Sequence, residues 1–228
     1  MYRFAFILLC SIFACSAHAG ILDQFTQTDM TTGLKDSLQQ GALAAVSKLG
    51  QENGFFANAK VKIPLPKAMQ NAEKMMRAVG MKKQADDLVL SMNRAAEAAV
   101  PEAKELFVGA VKSMSVQDAK GIFSGGEDSA TQYFRKATEE PLRGKFLPIV
   151  VKAIEKVGLA QKYNAVAGKA SKLGLIKESE SNIENHVTQK ALDGLFVMMA
   201  DEEKALRANP VKASTDIAKK IFDVLRKN

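Results

Sequence analysis

Beyond about residue 30, apolar residues recur at three- and four-residue spacing through almost the whole chain, and no stretch alternates apolar with polar side chains over a strand's length. A chain patterned this way hides its apolar stripes by packing helix on helix. Leu34, Leu38, Ala42, Ala45, Val46 and Leu49 trace one such face, which Gly50 ends. Further helices are expected at about 67–79 with Gly80 closing the turn, at about 82–99, from Pro101 to Met114, and from Ser115 to near Gly125-Gly126. Ser115-Val116-Gln117-Asp118 is a capping sequence, and Asp128 or Ser129 stands where it can cap the next helix, which carries Tyr133 and Phe134. Pro141–Val157 reads as another helix, kinked at Pro148. A shorter helix over 160–171 and a polar linker over 177–181 follow. A long helix from Ile183 to about Arg207 and an amphipathic one over about 215–227 complete the chain. The segment 51–66 breaks the pattern: Pro64 and Pro66 forbid a helix, and Phe55, Phe56, Ile63 and Leu65 are expected to plug into the core. The expected fold is all-α, a single bundle of about nine or ten helices over 20–228 with its core over about 31–227.

Residues 1–19 have the form of a cleavable export signal. Arg3 supplies the positive start, Phe4–Phe13 the apolar run, and Ala17-His18-Ala19 the small-x-small cleavage site. The run is too short to cross a bilayer as a permanent helix, so removal and a periplasmic location are expected. Both cysteines, Cys10 and Cys15, would leave with it, which excludes disulfide and thiolate chemistry from the mature chain. Ile12-Phe13-Ala14-Cys15 has the outline of a lipoprotein signal, with Phe13 bulky where a small residue is preferred; a lipid anchor on Cys15 is the secondary alternative. The remaining 209 or so residues are enough for a core that needs no metal or bridge.

Charge narrows the partners. There are 32 basic and 25 acidic residues, a net +7 that becomes +6 once Arg3 is lost. The lysines are scattered, and the pairs Lys82-Lys83 and Lys219-Lys220 lack the interleaved aromatics of a nucleic-acid surface. The charge reads first as an ordinary solvated surface, with a weak association with anionic membrane surfaces as the secondary reading, and nucleic acid is not expected.

The chemistry-bearing residues are few. With His18 removed, His186 is the single histidine, and it lies off the apolar stripe of its helix, where a surface position is expected. One histidine and no cysteine cluster exclude the usual zinc motifs, and no nucleophile elbow or phosphate-binding glycine loop occurs. Gly125-Gly126 reads as a turn before a cap, and Glu127 and Asp128 lack calcium-loop spacing. Neither a cofactor, a metal nor a catalytic group is therefore expected.

Binding candidates come from polar residues that project onto apolar faces. Val187, Ala191, Leu195, Met198, Met199, Ala205 and Leu206 define the face of the long helix, and Glu202 and Thr188 fall within it. Arg143 is similarly placed among Leu142, Phe146, Val150, Ile154 and Val157. A buried carboxylate must be paired, protonated or next to a cavity, so Glu202 and Arg143 are read as mutual partners or two polar points of one pocket, with a register-fixing ion pair or simple exposure near helix ends the first expectation. Met198 and Met199 are adaptable enough to wall such a pocket, although filling the core is the use first expected of them. Arg94 projects nearly opposite the Leu88–Met92–Ala95–Ala99 stripe and Glu97 well away from it, so with Asn93 they are expected in solvent or in surface pairs unless another helix covers that side. Ala95, Ala96, Ala98 and Ala99 suggest close helix approach on more than one side.

Four segments carry a resemblance. Ser91–Lys104, Gly125-Gly126 followed by Ala130–Arg135, Val187–Phe196, and Ile63-Pro64-Leu65-Pro66 are similar to the bacterial domain-of-unknown-function family numbered 4197, over about 31–224. The resemblance implies a helical envelope protein of Gram-negative bacteria and no activity or functional residue. The expected function is a non-enzymatic envelope protein binding a lipid or other amphipathic ligand within its helices. A structural protein acting through a partner or homo-oligomer interface is the alternative, and a carboxylate-dependent hydrolase using Glu202 is a third.

Overall fold

The computed structural model describes residues 27–155 except 79 and 81, together with 164, 172, 182–209, 215, 216 and 219. Among them the chain forms α1 (Gln27–Leu49), α2 (Lys67–Ala78), α3 (Lys82–Ala99), a 3-10 turn (Val100–Glu102), α4 (Ala103–Ser113), α5 (Val116–Ser124), α6 (Ser129–Ile154) and α7 (Ile183–Ala208). No strand occurs among the described residues. The all-helical expectation holds, but these residues hold seven α-helices rather than nine or ten. The signal segment 1–19 with both cysteines, the helix at 160–171, the linker at 177–181 and most of the segment 215–227 lie outside the described residues.

One expected boundary is absent for a physical reason. Pro141 does not open a new helix, because α6 runs unbroken through both Pro141 and Pro148. Proline removes the hydrogen bond to the carbonyl four residues back. Here those carbonyls belong to Ala137 and Gly144, and all four residues lie on the exposed side of α6, where water satisfies what the ladder loses. Pro101 likewise sits in the 3-10 turn, so α4 starts at Ala103.

The long helix α7 lies at the centre, packed against α1, α3 and α6. All six residues of the expected α1 face are buried, as are Ala95, Ala96 and Ala99 of α3, while Ala98 is exposed. Phe107 of α4 sets its ring edge-on to Phe134 of α6 and Phe196 of α7, at centroid distances of 5.4 and 6.2 Å. Each such ring buried contributes on the order of 2–3 kcal/mol of transfer free energy. Buried residues of every helix join one hydrophobic cluster. Gly80 closes the α2–α3 turn at φ 84°, a left-handed conformation that glycine adopts without strain.

The segment 50–66 lies over this core. Phe55, Ile63 and Leu65 are buried as expected, whereas Phe56 is half-buried with the Lys62 ammonium 4.3 Å from its ring centroid.

Candidate functional site

Two buried carboxylates organise the molecule, and both follow one scheme: each accepts two consecutive backbone N–H groups and an arginine from its own helix. Glu203 of α7, 5% exposed, accepts from Ala130 N and Thr131 N at 3.0 and 2.9 Å and from the Thr131 hydroxyl at 2.9 Å. It thereby caps the N-terminus of α6 from another helix, where a negative charge meets the positive end of the helix dipole. Neither Asp128 nor Ser129 does so: Asp128 makes no side-chain cap, and the Ser129 hydroxyl donates to Ile122 O at 2.9 Å. One turn further along α7, Arg207 donates to Glu203 at 3.0 Å, to the Ser129 hydroxyl at 2.9 Å and to Ile122 O at 3.2 Å in the last turn of α5. A single Glu–Arg pair on α7 thus closes both ends of the α5–α6 turn.

The second carboxylate holds the irregular segment. Glu97 of α3, 4% exposed, accepts from Phe55 N at 3.0 Å and Phe56 N at 3.1 Å. Its other oxygen pairs with Arg94, which also reaches Glu52 and Asn53 at 2.9 and 3.0 Å. Asn93, fully buried, bonds both backbone groups of one residue: its Oδ1 accepts from Ile63 N at 2.8 Å and its Nδ2 donates to Ile63 O at 3.0 Å. His186 of α7 is buried, not at the surface, with Nε2 3.0 Å from Pro64 O. Asn93 and Glu97 also depart from the solvent-facing expectation, because segment 50–66 covers their side of α3.

This pinned segment forms one wall of a cleft of about 520 Å³, whose opposite side comes from α2 and α3. Its apolar surface is Phe56, Ala59, Pro64, Leu65 and Val89. Its charged groups are Lys62, Arg77 and Asp86, the last two joined across the α2–α3 turn at 2.7 Å. The volume and the mix of apolar lining with few polar groups suit a small ligand. A more open depression between α5 and α6 carries Asp118, Arg135, Lys136 and Glu139. Among the described residues no group of three or more His, Cys, Asp or Glu is placed to hold a metal ion, and no helix is long and apolar enough to cross a membrane.

The residues singled out from the sequence are not gathered in one place. Glu202 and Arg143 are not partners. The Glu202 side chain, 19% exposed, pairs with Lys48 of α1, while Arg143 donates to Gln189 and lies near Glu139 and Glu140. Thr188 is buried, and its hydroxyl is one of two buried side-chain oxygens without a hydrogen-bond partner among the described residues. The other, Ser37 Oγ, borders a void of about 10 Å³ beside Met199 and Glu203, room for at most one water. Met199 is core, and Met198 is half-buried with its sulfur 3.7 Å from Asn58 Nδ2.

Glu203, the residue beside Glu202, is the one the sequence reasoning missed. A signal was there: Leu192, Phe196, Met199, Glu203 and Leu206 follow a four-three-four-three spacing. Including Leu192 and Phe196 in the face rotates its centre toward Glu203, and Arg207 stands four residues on as a partner.

No curated protein and no solved structure matches the chain. The family model described as Protein of unknown function (DUF4197) matches residues 24–223. With most of its length inside that match, and the Ser91–Lys104 segment accounting for the clamp on residues 55–63, the chain belongs to this family.

Proposed function

We propose that this is an exported, non-enzymatic protein of the bacterial envelope that binds an amphipathic molecule in the cleft between segment 50–66 and the α2–α3 pair. The observation that carries the reading is the pinning of the cleft wall. Asn93, Glu97 and His186, three buried polar side chains from two helices, hold its backbone at Phe55, Phe56, Ile63 and Pro64. A wall held from behind in this way costs little ordering when a ligand arrives. Among the described residues the interior void at Ser37 is about 10 Å³, too small for a lipid chain. This reading puts the site on the flank of the bundle.

The carboxylates argue for binding rather than acid–base chemistry. Glu97 and Glu203 spend their lone pairs on backbone N–H groups and arginines, and Glu202 is engaged with Lys48. Export rests on the signal form of residues 1–19.

Two measurements test the reading. Intact mass of protein purified from the periplasm should correspond to a chain starting at Gly20; an uncleaved cytoplasmic product would sink the export claim. Titration with the neutral fluorescent amphiphile N-phenyl-1-naphthylamine should show saturable binding that Phe56→Asp or Val89→Asp abolishes. Absent binding, or binding indifferent to both substitutions, would sink the cleft.

A further inference from the structure

Resting on that cleft, we infer that its ligand carries a singly charged oxyanion head, a carboxylate or a phosphodiester, and that Lys62 is the residue that reads it. Three neighbouring cations are committed to carboxylates. Lys60 pairs with Asp201 at 2.6 Å, Arg77 with Asp86 at 2.7 Å, and Arg94 with Glu97 and Glu52. Lys62 has no carboxylate partner among the described residues; its ammonium lies over the Phe56 ring instead. Among the described residues, the three charged groups that line the cleft leave one positive charge in excess, carried by Lys62.

The position of Lys62 is set by its backbone. Lys62 N donates to Asn58 O at 2.8 Å, and the next residue, Ile63, is held by Asn93. The aromatic face beneath the exposed ammonium contributes a modest cation–π attraction. An incoming oxyanion could then take charge-assisted hydrogen bonds from the ammonium without breaking an existing ion pair. Its apolar tail would lie along Phe56, Leu65 and Val89. The Arg77–Asp86 pair contributes no net charge, so a single negative charge on the ligand balances the described lining. A cationic head would meet repulsion.

Displacement of N-phenyl-1-naphthylamine separates this inference from the reading beneath it. Dodecanoate and a lysophosphatidylglycerol should displace the probe at roughly tenfold lower concentration than dodecanol, and dodecyltrimethylammonium should be weakest. Lys62→Met should remove that tenfold preference and leave dodecanol unchanged, while Lys62→Arg should keep it. Acetate and dimethyl phosphate, heads without tails, should fail to displace. If they displace as well as the long-chain anions, the site is a simple anion site and the inference falls. If all dodecyl compounds compete equally, or Lys62→Met leaves the preference intact, the inference falls while the cleft stands. If the probe itself does not bind, the cleft falls first.

Discussion

Gly194 of α7 lies directly against the Phe55 ring: a Cβ at position 194 would stand 2.7 Å from Phe55 Cε1 and 3.2 Å from Val61 Cβ. The absence of a side chain in mid-helix is what admits the peg. Phe55 is fully buried, so its ring has nowhere to retreat.

Gly194→Ala should therefore destabilise the protein by about 1–3 kcal/mol, the cost of overpacking. Helix propensity alone would stabilise by up to about 1 kcal/mol. Gly109→Ala, at an exposed site of α4 with nothing within 4 Å of the added carbon, should show that gain. Urea unfolding of the two variants decides the matter, and a stabilised Gly194→Ala would contradict the packing described.

Glu203→Ala should be among the most damaging single changes, costing about 3–5 kcal/mol, because it strands the Arg207 guanidinium and two N–H groups of α6. Glu202→Ala, one position away, removes only the partially exposed pair with Lys48 and should cost at most about 1 kcal/mol. Thermal denaturation of the two neighbours should show this contrast; equal effects would refute the assignment of Glu203 as the cap.

Asn93 is tested by its amide. Asn93→Asp keeps an acceptor for Ile63 N but cannot donate to Ile63 O or Val89 O when ionised. A loss of about 2–4 kcal/mol is expected from the stranded carbonyls. Hydrogen exchange should quicken at Ile63 well before it does in α6, and amphiphile binding should weaken in parallel. Unchanged protection at Ile63 would exclude Asn93 as the clamp.

Acid should loosen the start of α5. The Ser115 hydroxyl and backbone N–H hold the Asp118 carboxyl below its ordinary value. A depressed pKa in the folded state means a contribution present above the ordinary carboxylate pKa and lost as pH falls through the lowered one. NMR titration should place the Asp118 midpoint below that of an unstructured aspartate, and Ser115→Ala should bring it back up. A midpoint unmoved by that substitution would remove the capping box as the cause.

The helices were largely legible in the residues. Leu34 to Leu49 predicted the buried face of α1, Ser115 and Asp118 predicted the cap of α5, and Gly80 predicted the turn after α2. These features act over three or four residues, the range in which hydrogen bonds and spacing operate along a single helix. Pro141 misled because a helix boundary depends on whether water can reach the freed carbonyl, and exposure is a property of the assembled fold.

The polar interior was not legible. A helical projection gives the angle at which a side chain leaves the axis, and says nothing of what covers that angle. Asn93, Glu97 and His186 point away from their own apolar stripes, yet an irregular segment rich in peptide groups lies over them and supplies partners. Glu202 sits at the favoured angle but at a place where α1 leaves an outlet toward Lys48. Local pattern thus determined that this chain is helical and where most of its helices begin and end. Only the packing of distant segments decided which charged groups went inside, because a buried charge is tolerated solely where another part of the chain brings it hydrogen bonds.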